Sequence, residues 1–92
     1  MEEYLITSSL DWHRVRNRLE NSQNNLPMFK KDVSRMLRAV DLEVVKLGNL
    51  EVIARNQKSK ASLRRVDEQI IIINKLIKNF NKLYMVALLS QS

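Results

Sequence analysis

The chain has 92 residues, 45% of them hydrophobic, and a formal net charge of +6, which suits one small globular domain. One Gly and one Pro leave no β-hairpin signal, so the composition predicts an all-α fold. The lack of Cys excludes disulfides and thiolate metal sites, and Glu2 and Glu3 stand where a signal peptide needs basic residues, so we expect a cytoplasmic, intracellular protein. The longest apolar run, residues 83–89, falls short of the roughly 20 residues of a membrane span.

The first predicted helix covers about residues 3–21. A weak S-x-x-D capping box made by Ser8 and Asp11 offers Ser8 as an alternative start. The Asn-rich stretch that follows predicts a loop ending at Pro27. The apolar residues expected on one face of this helix are Leu5, Trp12, Val15 and Leu19.

The second predicted helix covers about residues 27–55, with Pro27 suited to its first turn. Gly48 either costs the helix about 1 kcal/mol relative to Ala or ends it as a C-cap, and both alternatives stay open. Steps of three and four residues define its apolar face, which comprises Phe29, Val33, Met36, Val40, Val44, Leu47, Leu50 and Ala54.

The third predicted helix, residues 62–89, carries the clearest pattern in the chain. Its apolar residues recur at alternating steps of three and four, which is one seam of a helix that packs against another helix, as in a coiled coil. A second row beside it, Ile72, Leu76 and Leu83, makes the apolar surface wider than one neighbouring helix covers, so we predict self-association. The predicted protein interface is this seam: Leu63, Val66, Ile70, Ile73, Ile77, Phe80 and Tyr84.

The phase of the seam decides between a single helical rod and a hairpin. Continued backward from Leu63 by steps of four and three, it reaches a half-polar row instead of the apolar face of helix two. A turn near Lys58 is therefore favoured, and the chain is predicted to form an antiparallel three-helix bundle, a helical hairpin plus an N-terminal helix, as one domain over residues 1–92. The half-polar row is Ser59, Asn56, Val52, Asn49, Val45, Leu42, Arg38 and Arg35.

The whole positive excess lies in residues 55–92, where eight bases face only Asp67 and Glu68. The plainer interpretation of this basic tip is a solvated loop. If Ser62 caps helix three, however, Arg64 and Arg65 stand in its first turn against the helix dipole, which supports the alternative of an anionic partner. The residues predicted to bind such a partner are Arg55, Lys58, Lys60, Arg64 and Arg65 at the tip and the row Lys75, Lys78 and Lys82.

A similar row on helix two, Lys31, Arg35 and Arg38, has acidic neighbours in Asp32 and Asp41, so ordinary i, i+3 pairing explains much of it. Both lysine-rich rows also have a plainer interpretation, namely that they keep apolar helices soluble.

Nothing in the sequence predicts catalysis, a metal site or a cofactor. His13 is the only His, no acidic pair shares a face with a nucleophile, and there is no Gly-rich phosphate loop. Two hypotheses remain. The first is a non-catalytic helical adaptor that associates with itself or with another helical protein and presents a basic surface to an acidic partner. The alternative is a dimeric nucleic-acid-binding protein that contacts the phosphate backbone.

Overall fold

A computed structural model describes residues 5–21 and 30–91 and confirms the all-α prediction of a hairpin with an N-terminal helix. A short 3₁₀ turn, Ser9–Asp11, leads into α1, Trp12–Asn21, and is followed by α2, Lys30–Gln57, and α3, Lys60–Gln91. The two long helices pack against each other, and α1 packs on α2. The molecule is elongated, with extents of 51 × 17 × 16 Å.

The N-terminal segment differs from the prediction in how it enters the helix. The carboxylate of Asp11 accepts hydrogen bonds from Thr7 N at 2.7 Å and Thr7 Oγ1 at 2.6 Å, whereas Ser8 makes no side-chain capping bond. Ser8 is the N-cap residue, as the alternative start predicts, but the side-chain bonds of the predicted S-x-x-D box are wrong, because Asp11 bonds Thr7 and the Ser8 hydroxyl caps nothing. Leu5 precedes the helix and is 38% exposed, and Ile6 is buried in its place. The predicted start near residue 3 lies outside the described residues.

Helix α2 runs without interruption through Gly48 to Gln57, so the C-cap alternative for Gly48 is wrong. A Cβ atom added at Gly48 would meet no atom within 4 Å, so no neighbour requires a glycine at this position. The predicted start at Pro27, and Phe29 with it, lie outside the described residues. The buried apolar residues of α2 are Val33, Leu37, Val40, Leu47 and Ala54.

The predicted turn near Lys58 is confirmed and consists of two residues. Lys58 has a left-handed φ of 53°, and its N donates to Ala54 O at 2.8 Å, which closes α2. Ser59 then caps α3, because its Oγ accepts from Ser62 N at 3.2 Å. Ser62 is thus the third residue of α3 and is buried, which corrects the prediction that it caps the helix.

The core forms where the three helices meet. The buried residues of α1 are Trp12, Val15 and Leu19, which lie on one face of the helix, as the sequence predicts for these three residues. Each fully buried Leu, Ile or Phe contributes about 1.5–3 kcal/mol through removal of apolar surface from water. The core cluster comprises Ile6, Trp12, Val15, Leu19, Val33, Leu37, Val40, Leu47, Ile73, Ile77 and Phe80.

Candidate interaction surfaces

One side of the α2–α3 hairpin is held by α1 through a charged hydrogen-bond cluster at Asp41. The Oδ1 atom of Asp41 accepts from Trp12 Nε1 at 2.7 Å and from Arg16 Nε at 3.0 Å, and its Oδ2 accepts from Arg16 Nη2 at 3.0 Å. Arg16 Nη1 also reaches Glu20 Oε2 at 2.8 Å. This forked arrangement fixes the angle at which α1 lies on α2.

The same cluster shifts the pKa values of both partners. Burial raises the pKa of Asp41, but the hydrogen bonds from Arg16 and Trp12 and the charge of Arg16 outweigh it, so the pKa lies below its ordinary value of 3.8. The hydrogen bond to Asp41 raises the pKa of Arg16. Asp41 is therefore fully ionised at neutral pH and acts as a structural anion.

Two further contacts tie the N-terminal segment to the same side. Asn74 of α3 forms a reciprocal pair with the backbone of Ile6, accepting from Ile6 N at 2.9 Å and donating to Ile6 O at 3.0 Å. Glu51 of α2 accepts from both Ser9 N and Ser9 Oγ. We call this side of the hairpin the covered side.

The opposite side of the hairpin is an open groove. An α-helix turns by about 100° per residue. Ile72, Leu76 and Leu83 therefore lie on the side of α3 opposite to Asn74, roughly 160–180° around its axis. Ala39 and Leu50 lie equally far around the axis of α2 from Asp41. Ile72 is 46% exposed and Leu83 is 61% exposed, while Leu76 and Leu50 are half-buried. The open groove is lined by Ala39, Leu50, Ile72, Leu76 and Leu83.

One polar contact crosses the hairpin beside this groove. Gln69 is buried, and its Nε2 donates to Glu43 O at 2.9 Å and to Glu43 Oε1 at 2.7 Å. Because the amide satisfies a backbone carbonyl of the facing helix, it fixes the register of the two long helices.

The predicted interface seam divides between core and surface. Ile73, Ile77 and Phe80 are buried inside the chain, so they are core residues with no surface left for a partner, which corrects their assignment. The reason is that α1 and α2 of the same chain already cover them. Val66, Ile70 and Tyr84 are half-buried against this core, and only Leu63, 53% exposed, stands clear of it. The second row, Ile72, Leu76 and Leu83, supplies the groove instead.

All eight residues predicted to bind an anionic partner are exposed. None of them forms an ion pair with a described acid. Because α3 begins at Lys60, Arg64 and Arg65 stand in its second turn and not its first, so the predicted opposition to the helix dipole is wrong for these two residues. The tip residues gather at the hairpin end, and Lys75, Lys78 and Lys82 follow the outer face of α3, away from its core residues.

The outer face of α2 carries a surface that sequence reasoning missed. The half-polar row, extended by one step of four to Lys31, is exposed at every residue along α2. Asp41 turns inward to Trp12 and Arg16, so its predicted pairing with Arg38 is wrong and the basic residues of the row face solvent. We call this row the outer seam: Lys31, Arg35, Arg38, Leu42, Val45, Asn49, Val52 and Asn56.

Comparisons with protein-family models, curated proteins and solved structures give no match. Within residues 5–21 and 30–91, no group of His, Cys, Asp and Glu is placed to hold a metal ion. In the same ranges no helix combines the length and apolar character that crossing a membrane requires.

Proposed function

We propose that this chain is a non-catalytic helical interaction protein that associates with a second copy through the open groove. The observation that carries the proposal is the exposure of Ile72 and Leu83 in a row directly beside the core of α3. Asn79, which is also exposed, separates Leu76 from Leu83 in this row. Exposed apolar residues aligned beside a core are nevertheless typical of an interface. A second hairpin placed in the groove extends the core by two helices, as in a four-helix bundle.

The charges around the groove suit a second copy of the same chain. Asp32 and Lys46 lie two turns of α2 from Ala39 on the same side, and Arg65 and Glu68 precede Ile72 by two turns and one turn of α3. All four are exposed, so the rim presents both signs of charge. A twofold axis pairs unlike residues across an isologous contact, which allows acids of one protomer to meet bases of the other.

Light scattering after size-exclusion chromatography tests this proposal. We expect a dimer at micromolar concentration, and we expect Leu83→Asp to be monomeric because it places a charge in the open groove. Ile71→Asp is the matched control, since Ile71 is 58% exposed on the outer face of α3 and should remain dimeric. Circular dichroism should show unchanged helicity for both variants. A wild-type chain that stays monomeric at high concentration contradicts the proposal.

A second candidate function is binding to a nucleic-acid backbone. The observation in its favour is that the eight exposed tip and row residues have no ion-pair partner among the described acids. Among the described residues, Trp12 and Phe80 are buried in the core and are not available to stack on bases. Binding through the tip and row residues is to phosphates, with an affinity that falls as salt rises.

This candidate is tested by replacing the five tip bases with neutral residues: Arg55, Lys58, Lys60, Arg64 and Arg65. Affinity should fall for all sequences alike, and the slope of log K against log salt should drop by roughly one per lost phosphate contact. The fold should survive, because all five are exposed. If the unmodified protein binds neither duplex DNA, duplex RNA nor single strands at low salt, this candidate is excluded.

A further inference from the structure

Folding separates the charges of α2. Three of its four acids turn inward: Asp41 holds Trp12 and Arg16, Glu43 holds Gln69, and Glu51 holds Ser9. The remaining acid, Asp32, is exposed toward the groove, one turn before Arg35 and about 60° from it around α2, and it forms no ion pair with Arg35. The outer seam consequently has basic side chains and no acidic one, although α2 as a whole has four acids beside its six bases.

The outer seam has two parts. Its first part is basic, comprising Lys31, Arg35 and Arg38, and these residues line a shallow depression together with Ser34. Its second part is apolar at Leu42, Val45 and Val52, of which Leu42 is 72% exposed. Steps of four and three join every member, which is the spacing of a helix that receives another helix. Asn49 lies within the apolar part, where a single polar residue sets the register of a helical pair.

A second copy does not suit this seam. In a parallel pairing the three basic residues of one chain face the same three of the other, and like charges across an interface are unfavourable. An antiparallel pairing about Asn49 places Leu42 against Asn56 and carries Arg38 past Gln57, the last residue of α2. Neither arrangement brings an acid of the second copy to the basic part of the seam, so an acidic helix of a different chain complements it better.

We propose that the outer seam of α2 binds an acidic amphipathic helix of a different protein. The partner helix places Asp or Glu carboxylates against Arg35 and Arg38, whose guanidinium groups can form forked hydrogen bonds with them. Further along, Leu or Ile side chains pack on Leu42, Val45 and Val52. This inference extends the proposed interaction role but uses a surface on the far side of α2 from its core and separate from the open groove.

A synthetic helical peptide provides the test. The peptide carries Glu at the positions opposite Lys31, Arg35 and Arg38, Leu or Ile opposite the apolar part, and Asn opposite Asn49. A second peptide is identical except for Lys in place of each Glu. By fluorescence anisotropy at low salt, the wild-type protein should bind the Glu peptide at least about tenfold more tightly than the Lys peptide.

Charge reversal on the protein completes the design. The double variant Arg35→Glu with Arg38→Glu should reverse the preference and bind the Lys peptide more tightly. Lys75→Glu with Lys78→Glu changes the net charge equally but lies on α3, so it should leave the preference for the Glu peptide intact. Leu42→Asp should lose both peptides. Equal binding of the two peptides by the wild-type protein, or no effect of the Arg35 and Arg38 reversal, overturns the proposal.

Binding of the Glu peptide to the outer seam is expected to be independent of self-association through the open groove. The Leu83→Asp variant, whether monomeric or not, should bind the Glu peptide as the wild type does, and the reversal at Arg35 and Arg38 should leave the oligomeric state unchanged. Duplex DNA provides the last arm. If DNA binds the wild type and Leu42→Asp equally well but is lost on reversal of Arg35 and Arg38, the seam is a phosphate-binding surface and the helix proposal is wrong.

Discussion

The covered side and the open groove of the hairpin differ in what closes them, although both begin with apolar residues flanking the same core. On the covered side α1 buries Trp12 and satisfies Asp41, and Asn74 binds the backbone of Ile6. On the open side Ile72 and Leu83 remain largely exposed beside the buried Gln69. Periodicity alone therefore shows that a helix face needs a neighbour, but not whether that neighbour belongs to the same chain.

Three of the four consecutive isoleucines of α3 lie in different surroundings, and the buried one gives the largest expected effect. Ile73 is fully buried, Ile72 borders the open groove, and Ile71 lies on the outer face of α3. Ile73→Ala should lower the free energy of unfolding by about 2–5 kcal/mol, because it leaves a cavity in the core. Urea denaturation followed by circular dichroism measures this loss.

The two neighbouring substitutions are the controls. Ile72→Ala should weaken self-association while changing the stability of the monomer by less than about 1 kcal/mol, and Ile71→Ala should change stability by less than about 0.5 kcal/mol. Comparable losses of stability for all three would show that α3 is enclosed on every side, which is incompatible with an open groove. Denaturation at two protein concentrations separates the monomer term from the association term.

The hairpin could be predicted because the residues that determine it are close together in the sequence. The phase break between the two apolar faces lies within a few residues of Lys58, and a serine cap follows it directly. The choice between Ser59 and Ser62 could not be made, since both are serines in the same short stretch and only the geometry of the turn selects one. The sequence therefore predicted a hairpin but began α3 two residues too late.

The surfaces depended on long-range contacts that no local pattern reveals. Asp41 is paired with Trp12 and Arg16, more than 20 positions away, so its sequence neighbour Arg38 looked neutralised when it is not. The sequence predicts the seam of α3 but does not say which helix covers which row, and Ile73 and Ile77 lie in the core. The row that forms the outer seam is half polar, so its pattern alone does not mark it as a binding surface.

The link between α1 and the hairpin gives the second prediction. Asp41→Ala removes the acceptor for Trp12 and Arg16 and should lower the free energy of unfolding by about 1–2 kcal/mol, a value reduced for the partial exposure of the carboxylate. Asp67→Ala is the control, because Asp67 is exposed on α3 and should change stability by less than about 0.5 kcal/mol. Equal effects of the two would mean that Asp41 does not hold α1.

The pH dependence of the same pair has a definite sign. The pKa of Asp41 is lower in the folded chain than its ordinary value of 3.8, so its stabilising contribution is complete above that value and is lost as the pH falls through the folded pKa. The pKa of Asp11 is lowered in the same direction by its hydrogen bonds from Thr7. The stabilities of the wild type and Asp41→Ala should therefore converge as the pH falls below 3.8, measured by urea denaturation at each pH. A gap that persists in strong acid contradicts the role of the carboxylate charge.

The smallest effect concerns the edge of the covered side, where Gly48 of α2 faces Ser8, Ser9 and Leu10 across a shallow cleft. A methyl group at this position meets no atom within 4 Å, and Ala is favoured over Gly inside a helix by about 1 kcal/mol. We expect Gly48→Ala to raise the free energy of unfolding by about 0.5–1 kcal/mol, which for a chain of this size raises the melting temperature by several degrees. Gly48→Leu, which must extend into the cleft, should give no such gain. A lower melting temperature for Gly48→Ala would contradict this expectation. It would mean that the N-terminal segment packs on α2 more closely than the cleft and the contacts of Ser9 with Glu51 indicate.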